Sequence, residues 1–275
     1  MKKAILNGHS TYDGAGVKLK RIFAHEHTEL TDPFLLLDHF GSDKPSDYVK
    51  GFPWHPHRGM ETVTYMLGGT VEHGDNIGNT GTIGPGDIQW MTAGRGVIHQ
   101  EMPKASKEKM HGLQLWVNLP AKDKMIEPRY KGILSREVPV VETAGGEVRV
   151  IAGVYRGIAG PVKDLIVDVE YLDVRLKKGA TLSHAVKGKY SAFCYLIEGT
   201  GLFDEASLKR EQLMLFSEAG TFAVRAAEIV HYVFVTGKKL NEPIAWGGPI
   251  VMNTREELNR AFREIDEGTF IKKKP

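Results

Sequence analysis

Apolar residues in this chain come in short runs, separated at close intervals by glycine and proline. The 31 glycines and 13 prolines are spread between those runs rather than gathered in one stretch. Such spacing is that of many short strands joined by tight turns, and it predicts an all-β architecture. One piece of the pattern occurs twice. Thr64-Tyr65-Met66-Leu67-Gly68-Gly69-Thr70 aligns with Cys194-Tyr195-Leu196-Ile197-Glu198-Gly199-Thr200 at an offset of 130 residues. Both copies read as a strand ending in a glycine-containing turn, so the chain carries an internal duplication. Residues 120–136 are polar and turn-rich, with Lys122-Asp123-Lys124 and Glu127-Pro128-Arg129, and predict a connector holding a helical turn. Near the C-terminus the period changes. Leu258, Ala261, Phe262 and Ile265 recur at helical spacing, Thr254 and Glu257 form a capping box, and Gly268 follows. This predicts one helix over 255–267, with a single apolar stripe that packs on the outside of a β unit.

Composition narrows the class without naming a function. A chain of 275 residues accommodates one or two domains with a sizeable core. Hydrophobic residues at 41% and charged ones at 25% are ordinary for a globular protein. A net charge of +2, with no basic cluster, leaves no nucleic-acid footprint. The lysines at 272–274 read as a solvated tail. One cysteine, Cys194, precludes an internal disulfide and suits a reducing compartment; its apolar surroundings predict a buried small hydrophobe. The N-terminal residues lack an apolar core of signal-peptide length, and no run approaches the roughly 20 apolar residues of a membrane span. The expectation is a cytoplasmic protein without a membrane anchor.

The candidate chemistry lies in His55-Pro56-His57 and His99-Gln100-Glu101. Residues two apart on a strand share a face, so His55 and His57 project together, as do His99 and Glu101. If the two strands face each other inside a barrel, three imidazoles and one carboxylate converge. That donor set suits a transition metal with coordination positions left open, as a redox enzyme requires. Glu61 is a second eligible carboxylate, because 55, 57 and 61 share a face if no bulge intervenes. It is alternatively a salt-bridge partner of Arg58 or Arg95. His25 and His27 form a further H-x-H, with no matching acceptor motif nearby, and read as structural. At the duplication offset His55 and His57 fall on Ala185 and Lys187, and His99 and Glu101 on Ile229 and His231. In a shifted register His184 is followed by Val186, so the second copy lacks the histidine pair. His184 and His231 read as core or surface residues.

The frame around these residues resembles the cupin superfamily, whose motifs are G-x5-H-x-H-x3/4-E-x6-G and G-x5-P-x-G-x2-H-x3-N. Val49 stands where the first glycine is expected, Thr92 where the proline is, and two extra residues precede His99. With DPFLLLDHF from Asp32, HPHRGMETVTY, GDIQWMTAGRGVIHQEMP and HGLQLWVNLP from His111, the chain is similar to the pirin family. The resemblance is dense to about residue 130 and thinner beyond. It implies two tandem cupin-type antiparallel β-barrels, jelly-roll-like, with a C-terminal α-helix: 1–135 carrying the metal, and 136–275 a degenerate barrel with the helix. It implies His55, His57, His99 and Glu101 as ligands of non-haem iron(II), although manganese, nickel, cobalt, copper or zinc would suit the same donors. Glu61 then becomes a neighbour able to hydrogen-bond a ligand or take a proton.

The activity implied is quercetin 2,3-dioxygenase, in which dioxygen cleaves a flavonol with loss of carbon monoxide. The flavonol 3-hydroxyl would give its proton to Glu101 or Glu61, and Phe52, Trp54, Trp90, Met91 and Trp116 are candidate walls for a flat substrate. The resemblance also implies an alternative of another class, a redox-sensitive iron protein that regulates protein partners. Other cupins are isomerases or bind sugars, which gives a third reading. A monomer is expected, because two barrels can bury each other.

Overall fold

The computed structural model describes residues 3–272, so most of the terminal lysine run lies outside the described residues. Strands in antiparallel ladders dominate, as the glycine and proline spacing predicted, and the longest helix is Arg255–Asp266. The chain divides into two compact units.

The histidine-bearing unit comprises residues 10–25, 34–135 and 240–272. Its larger sheet has seven strands in the order Arg129–Ile133, Ile88–Thr92, Met60–Gly68, Met110–Asn118, Phe34–Ser42, Val17–Phe23 and His9–Asp13. Its smaller sheet runs Phe52–His57, Val97–Pro103, Val71–Asp75 and Thr80–Ile83. Even-numbered residues of Met60–Gly68 point between the sheets: Met60 and Met66 join buried clusters there, and Thr64 bonds Glu101 of the smaller sheet. The connector expected over 120–136 holds the predicted turn, Ala121–Asp123, but also the strand Arg129–Ile133, which pairs with Ile88–Thr92 and completes the larger sheet.

The second unit comprises residues 3–9, 26–33 and 136–239. It repeats the arrangement: seven strands in the order Lys3–Asn7, Gln212–Phe216, Tyr190–Glu198, Val230–Lys238, Val169–Leu176, Gly146–Ala152 and Val140–Thr143, with four in the smaller sheet. Met60–Gly68 and Tyr190–Glu198 hold the same place in the two units, at the offset of 130 read from the sequence. The flanking strands do not keep that offset, because the connecting loops differ in length. His184 pairs with Phe222 as His55 pairs with His99. Val186, Phe222 and Val224 thus stand where the first unit has histidines and a glutamate, and all three are buried in the apolar core. Cys194 lies in the same core as a free thiol.

The ends depart from a division at residue 135. Lys3–Asn7 pairs with Gln212–Phe216 and covers an edge of the second unit's sheet, where unpaired backbone groups would otherwise face solvent. The helix belongs with the histidine-bearing unit, not with 136–239. Thr254 and Glu257 form the predicted capping box, and Leu258 and Ala261 pack with Ile250, Met252 and Phe270 of that unit. Among the described residues, no helix is long and apolar enough to cross a membrane.

Candidate metal centre

Phe52–His57 and Val97–Pro103 are neighbouring antiparallel strands with His55 opposite His99 and Val97 opposite His57. Cross-strand partners share a face, and so do residues two apart, which brings the three imidazoles together. Their ring centroids lie 4.4, 4.8 and 5.0 Å apart, and one candidate ligand nitrogen from each lies within 4.8 Å of the others. His55 Nδ1 sits 2.8 Å from the Pro53 carbonyl and donates to it, so its Nε2 carries a lone pair. That lone pair faces His99 Nε2 at 2.9 Å. Such a fixed ring, with its second nitrogen turned inward, is the usual posture of a metal-binding histidine.

Burial keeps His57 and His99 neutral. His57 and His99 are 2% and 1% exposed. Desolvation, then the neighbouring imidazoles, push the His57 pKa well below its ordinary value, with the Pro249 backbone opposing. The same causes lower His99 to about 3, although Asp75 pulls the other way. Buried His99 Nδ1 has no hydrogen-bond partner. With His57 and His99 desolvated and held neutral, and His55 beside them, the three imidazoles fit a divalent cation between them.

Glu101 lies on the same strand two residues beyond His99, after a register shift between them. Its oxygens are engaged elsewhere: Thr64 Oγ1 donates to one at 3.0 Å, and Gln114 Nε2 to the other at 3.0 Å. Trp116 Nε1 donates to Gln114 Oε1 at 3.3 Å and so orients that amide. Glu101 thus stands beside the three-histidine group, with its carboxylate oriented by Thr64 and Gln114. Trp116 also meets the His57 ring edge-on, at 5.3 Å between centroids. Together with Phe52 it helps line a cavity of about 30 Å³ that reaches Glu101.

Glu61 does not join the site. Gly59, at φ +76°, turns the chain between Phe52–His57 and Met60–Gly68, which belong to different sheets, and the parity counted from His57 is lost. Glu61 is an odd number of residues from Thr64 and faces the other side of the strand, where Thr92 Oγ1 donates to it at 2.6 Å. Burial raises its pKa, with Thr92, Trp90 and Arg129 opposing. Neither predicted arginine pairs with it: Arg58 binds Glu264 and Arg95 binds Glu127. Of the candidate walls, Trp54 is 54% exposed and Trp90 is on the Glu61 side, whereas Met91 packs with Met60 and Trp116. His25 stacks on Trp246, and His27 pairs with Glu26. His184 bonds the Tyr232 hydroxyl and His231 bonds Asp173, so both are satisfied core residues.

Thr64 and Gln114 were not singled out from the sequence, although each is a polar residue inside an apolar run, opposite the other in the sheet. Nor was a second polar group between the sheets: Gln89 Nε2 donates to the Tyr130 hydroxyl, which lies 2.6 Å from His73 Nε2.

Comparison with known proteins adds relationship to this geometry. A family model described as Pirin matches residues 16–117, and one described as the Pirin C-terminal cupin domain matches residues 171–271. A pirin-like protein of Caulobacter vibrioides is 42% identical over 268 residues, covering 97% of both chains. Homo sapiens pirin is 41% identical over 266 residues, covering 93% of this chain and 90% of its own. A crystal structure of quercetin 2,3-dioxygenase from Acinetobacter baumannii superimposes with a TM-score of 0.88 at 33% identity, covering 98% of this chain and 97% of the other.

Proposed function

The chain belongs to the pirin family, and from that premise we propose that it is a metal-dependent dioxygenase of the quercetin 2,3-dioxygenase type. The observation that carries the reading is the convergence of three imidazoles, those of His57 and His99 buried, beside a carboxylate that lines an apolar cavity. His55, His57 and His99 would hold the metal, with Glu101 as its fourth ligand and iron(II) as the ion. When bound, the ion supplies a Lewis-acidic, redox-active centre able to engage both an oxyanion and dioxygen.

The protein's own groups have separate tasks. Glu101 accepts the proton of the flavonol 3-hydroxyl, and the donors of Thr64 and Gln114 hold its carboxylate in place for that. Trp116 fixes Gln114 and offers its ring to a flat substrate, while Phe52 supplies further apolar surface. Water is kept from His57 and His99 by their burial, which strengthens electrostatic interactions there. Glu61, on the other face of its strand, has no part in the transfer.

One observation favours a second reading. A cavity of about 30 Å³ holds little more than a water molecule or two, far less than the several hundred Å³ of a typical small-molecule site. So little room for a substrate beside Glu101 suits a redox-sensitive element of a regulatory protein. The test is metal analysis of anaerobically purified protein, followed by quercetin depletion with iron restored. Metal-dependent and oxygen-dependent loss of the flavonol, abolished in a folded His57→Ala variant, supports the dioxygenase. Bound iron without turnover selects the regulatory reading, and full activity in His57→Ala sinks the assignment of the site.

A further inference from the structure

The second unit has lost the histidines but holds a larger opening of its own. A cavity of about 330 Å³ lies at the mouth of its barrel, beside the edge strand Thr181–Val186 and the short hairpin of Val154–Tyr155 and Ile158–Ala159. Its lining includes Tyr155, Arg156, Glu170, His184, Lys187 and Tyr190. Glu170 shares its face of the strand with Leu172 and Val174 of the core, so its carboxyl points into the barrel mouth. Among the described residues no hydrogen bond holds that carboxyl. The Tyr155 hydroxyl is buried and likewise has no hydrogen-bond partner.

We propose that this cavity is a second binding site, which takes a small aromatic carboxylate. The charge pattern selects an anion. Arg156 and Lys187 stand at the rim, each over an aromatic ring: Arg156 Cζ is 5.4 Å from the Tyr155 centroid, and Lys187 Nζ is 5.3 Å from that of Tyr190. Asp168 accepts from the Tyr190 hydroxyl and keeps its negative charge. With Glu170 protonated, Arg156 and Lys187 outnumber that one carboxylate and can receive another, with the Tyr155 hydroxyl as a further donor. The rings of Tyr155 and Tyr190 offer apolar faces to an aromatic body. The volume is at the lower end for small-molecule sites, which suits a single ring rather than a three-ring flavonol. Position agrees, since the mouth of a β-barrel is a recurrent ligand site.

Glu170 makes the binding pH-dependent. Burial pushes its pKa up to about 7, Asp168 on the same strand acts in the same direction, and Lys187 opposes. Thr236, opposite Glu170 in the sheet, donates to the Ser191 carbonyl, and burial holds His184 neutral with a pKa of about 3. Tyr155 and Tyr190 are both raised above the ordinary tyrosine value. Protonated, Glu170 donates a hydrogen bond to the guest; ionised, it repels it. Affinity is therefore highest below pH 7 and falls as pH rises through 8.

The experiment is calorimetric titration of the full-length protein with benzoate at pH 6.0 and 8.5. One site per chain is expected, weaker at the higher pH. Arg156→Ala and Lys187→Ala should each weaken it about tenfold, as expected for losing a charge-assisted hydrogen bond. Glu170→Gln should retain binding and lose the pH dependence, with circular dichroism confirming the fold of each variant. Absence of saturable binding at millimolar benzoate overturns the proposal, as does unchanged affinity in both cation variants. Acetate binding as tightly as benzoate removes the aromatic requirement and overturns the assigned class. Loss of benzoate binding in His57→Ala, with Arg156→Ala unaffected, transfers the ligand to the histidines and refutes this site.

Discussion

Gly59 sits between the histidine strand and Met60–Gly68, and alanine there would test how tightly that turn is built. Two costs arise. Gly59 has φ +76°, a left-handed conformation that costs an L-residue roughly 1–2 kcal/mol. A Cβ at Gly59 would also stand 2.0 Å from the Val251 carbonyl oxygen, a backbone atom that no rotamer change can move aside. The second cost has a control in the same unit. Gly268, just past the helix, has φ +69° and nothing within 4 Å of its added Cβ. Gly268→Ala should lose only the conformational part, roughly 1–2 kcal/mol. Gly59→Ala should lose more than about 4 kcal/mol, in the range of strained overpacked sites. The assay is urea denaturation followed by tryptophan fluorescence, read as a midpoint shift at constant slope. Trp54, Trp90, Trp116 and Trp246 are the only tryptophans, and all lie in the histidine-bearing unit, so the signal reports that unit. Equal losses in the two variants would refute the reasoning, because the close approach to Val251 would then carry no energy.

Acid should destabilise the metal-free protein well before most carboxylates are protonated. His99 and His184 are held near 3, whereas a free imidazole titrates near 6.5. Between those values the unfolded chain binds the extra proton, so stability falls with pH, by about 1.4 kcal/mol per pH unit for each histidine. A melting temperature unchanged between pH 6.5 and 4.5 would contradict this. Arg58 is 2% exposed, ion-pairs with Glu264 at 2.7 Å, and donates to the Arg95 and Phe270 carbonyls. Arg58→Lys keeps the charge but cannot span all three, and should cost about 3 kcal/mol in the same fluorescence assay. Cys194, fully buried with its thiol pKa pushed well above the ordinary value, should resist alkylation in the native state and react only as the second unit opens. Rapid labelling under native conditions would show that unit to be looser than its core suggests.

Period-two spacing made the three histidines legible, because strand parity needs no knowledge of the rest of the fold. Parity failed at Glu61, where the intervening Gly59 turn transfers the chain to another sheet. Short-range pattern likewise captured the helix, its capping box and the buried Leu258 and Ala261 of its stripe, although Phe262 is 38% exposed; its membership in the histidine-bearing unit depends on contacts with residues near 250. The strand Arg129–Ile133 was hidden because Arg-Tyr-Lys-Gly reads as polar connector, and only its partner Ile88–Thr92 makes it a strand. The Thr64 and Gln114 contacts to Glu101 are hydrogen bonds from one sheet to the other, across 37 and 13 residues of sequence, and no local signal encodes them.

Because strand Lys3–Asn7 and the segment 240–272 belong to units whose bulk lies at the opposite end of the chain, synthesis and folding are out of step. All three histidines leave the ribosome long before Glu264 and Phe270, which anchor Arg58 beside His57. The first unit to be translated is thus the last to be completed, and the histidine strand gains its Arg58 anchor only once the segment through Phe270 has emerged.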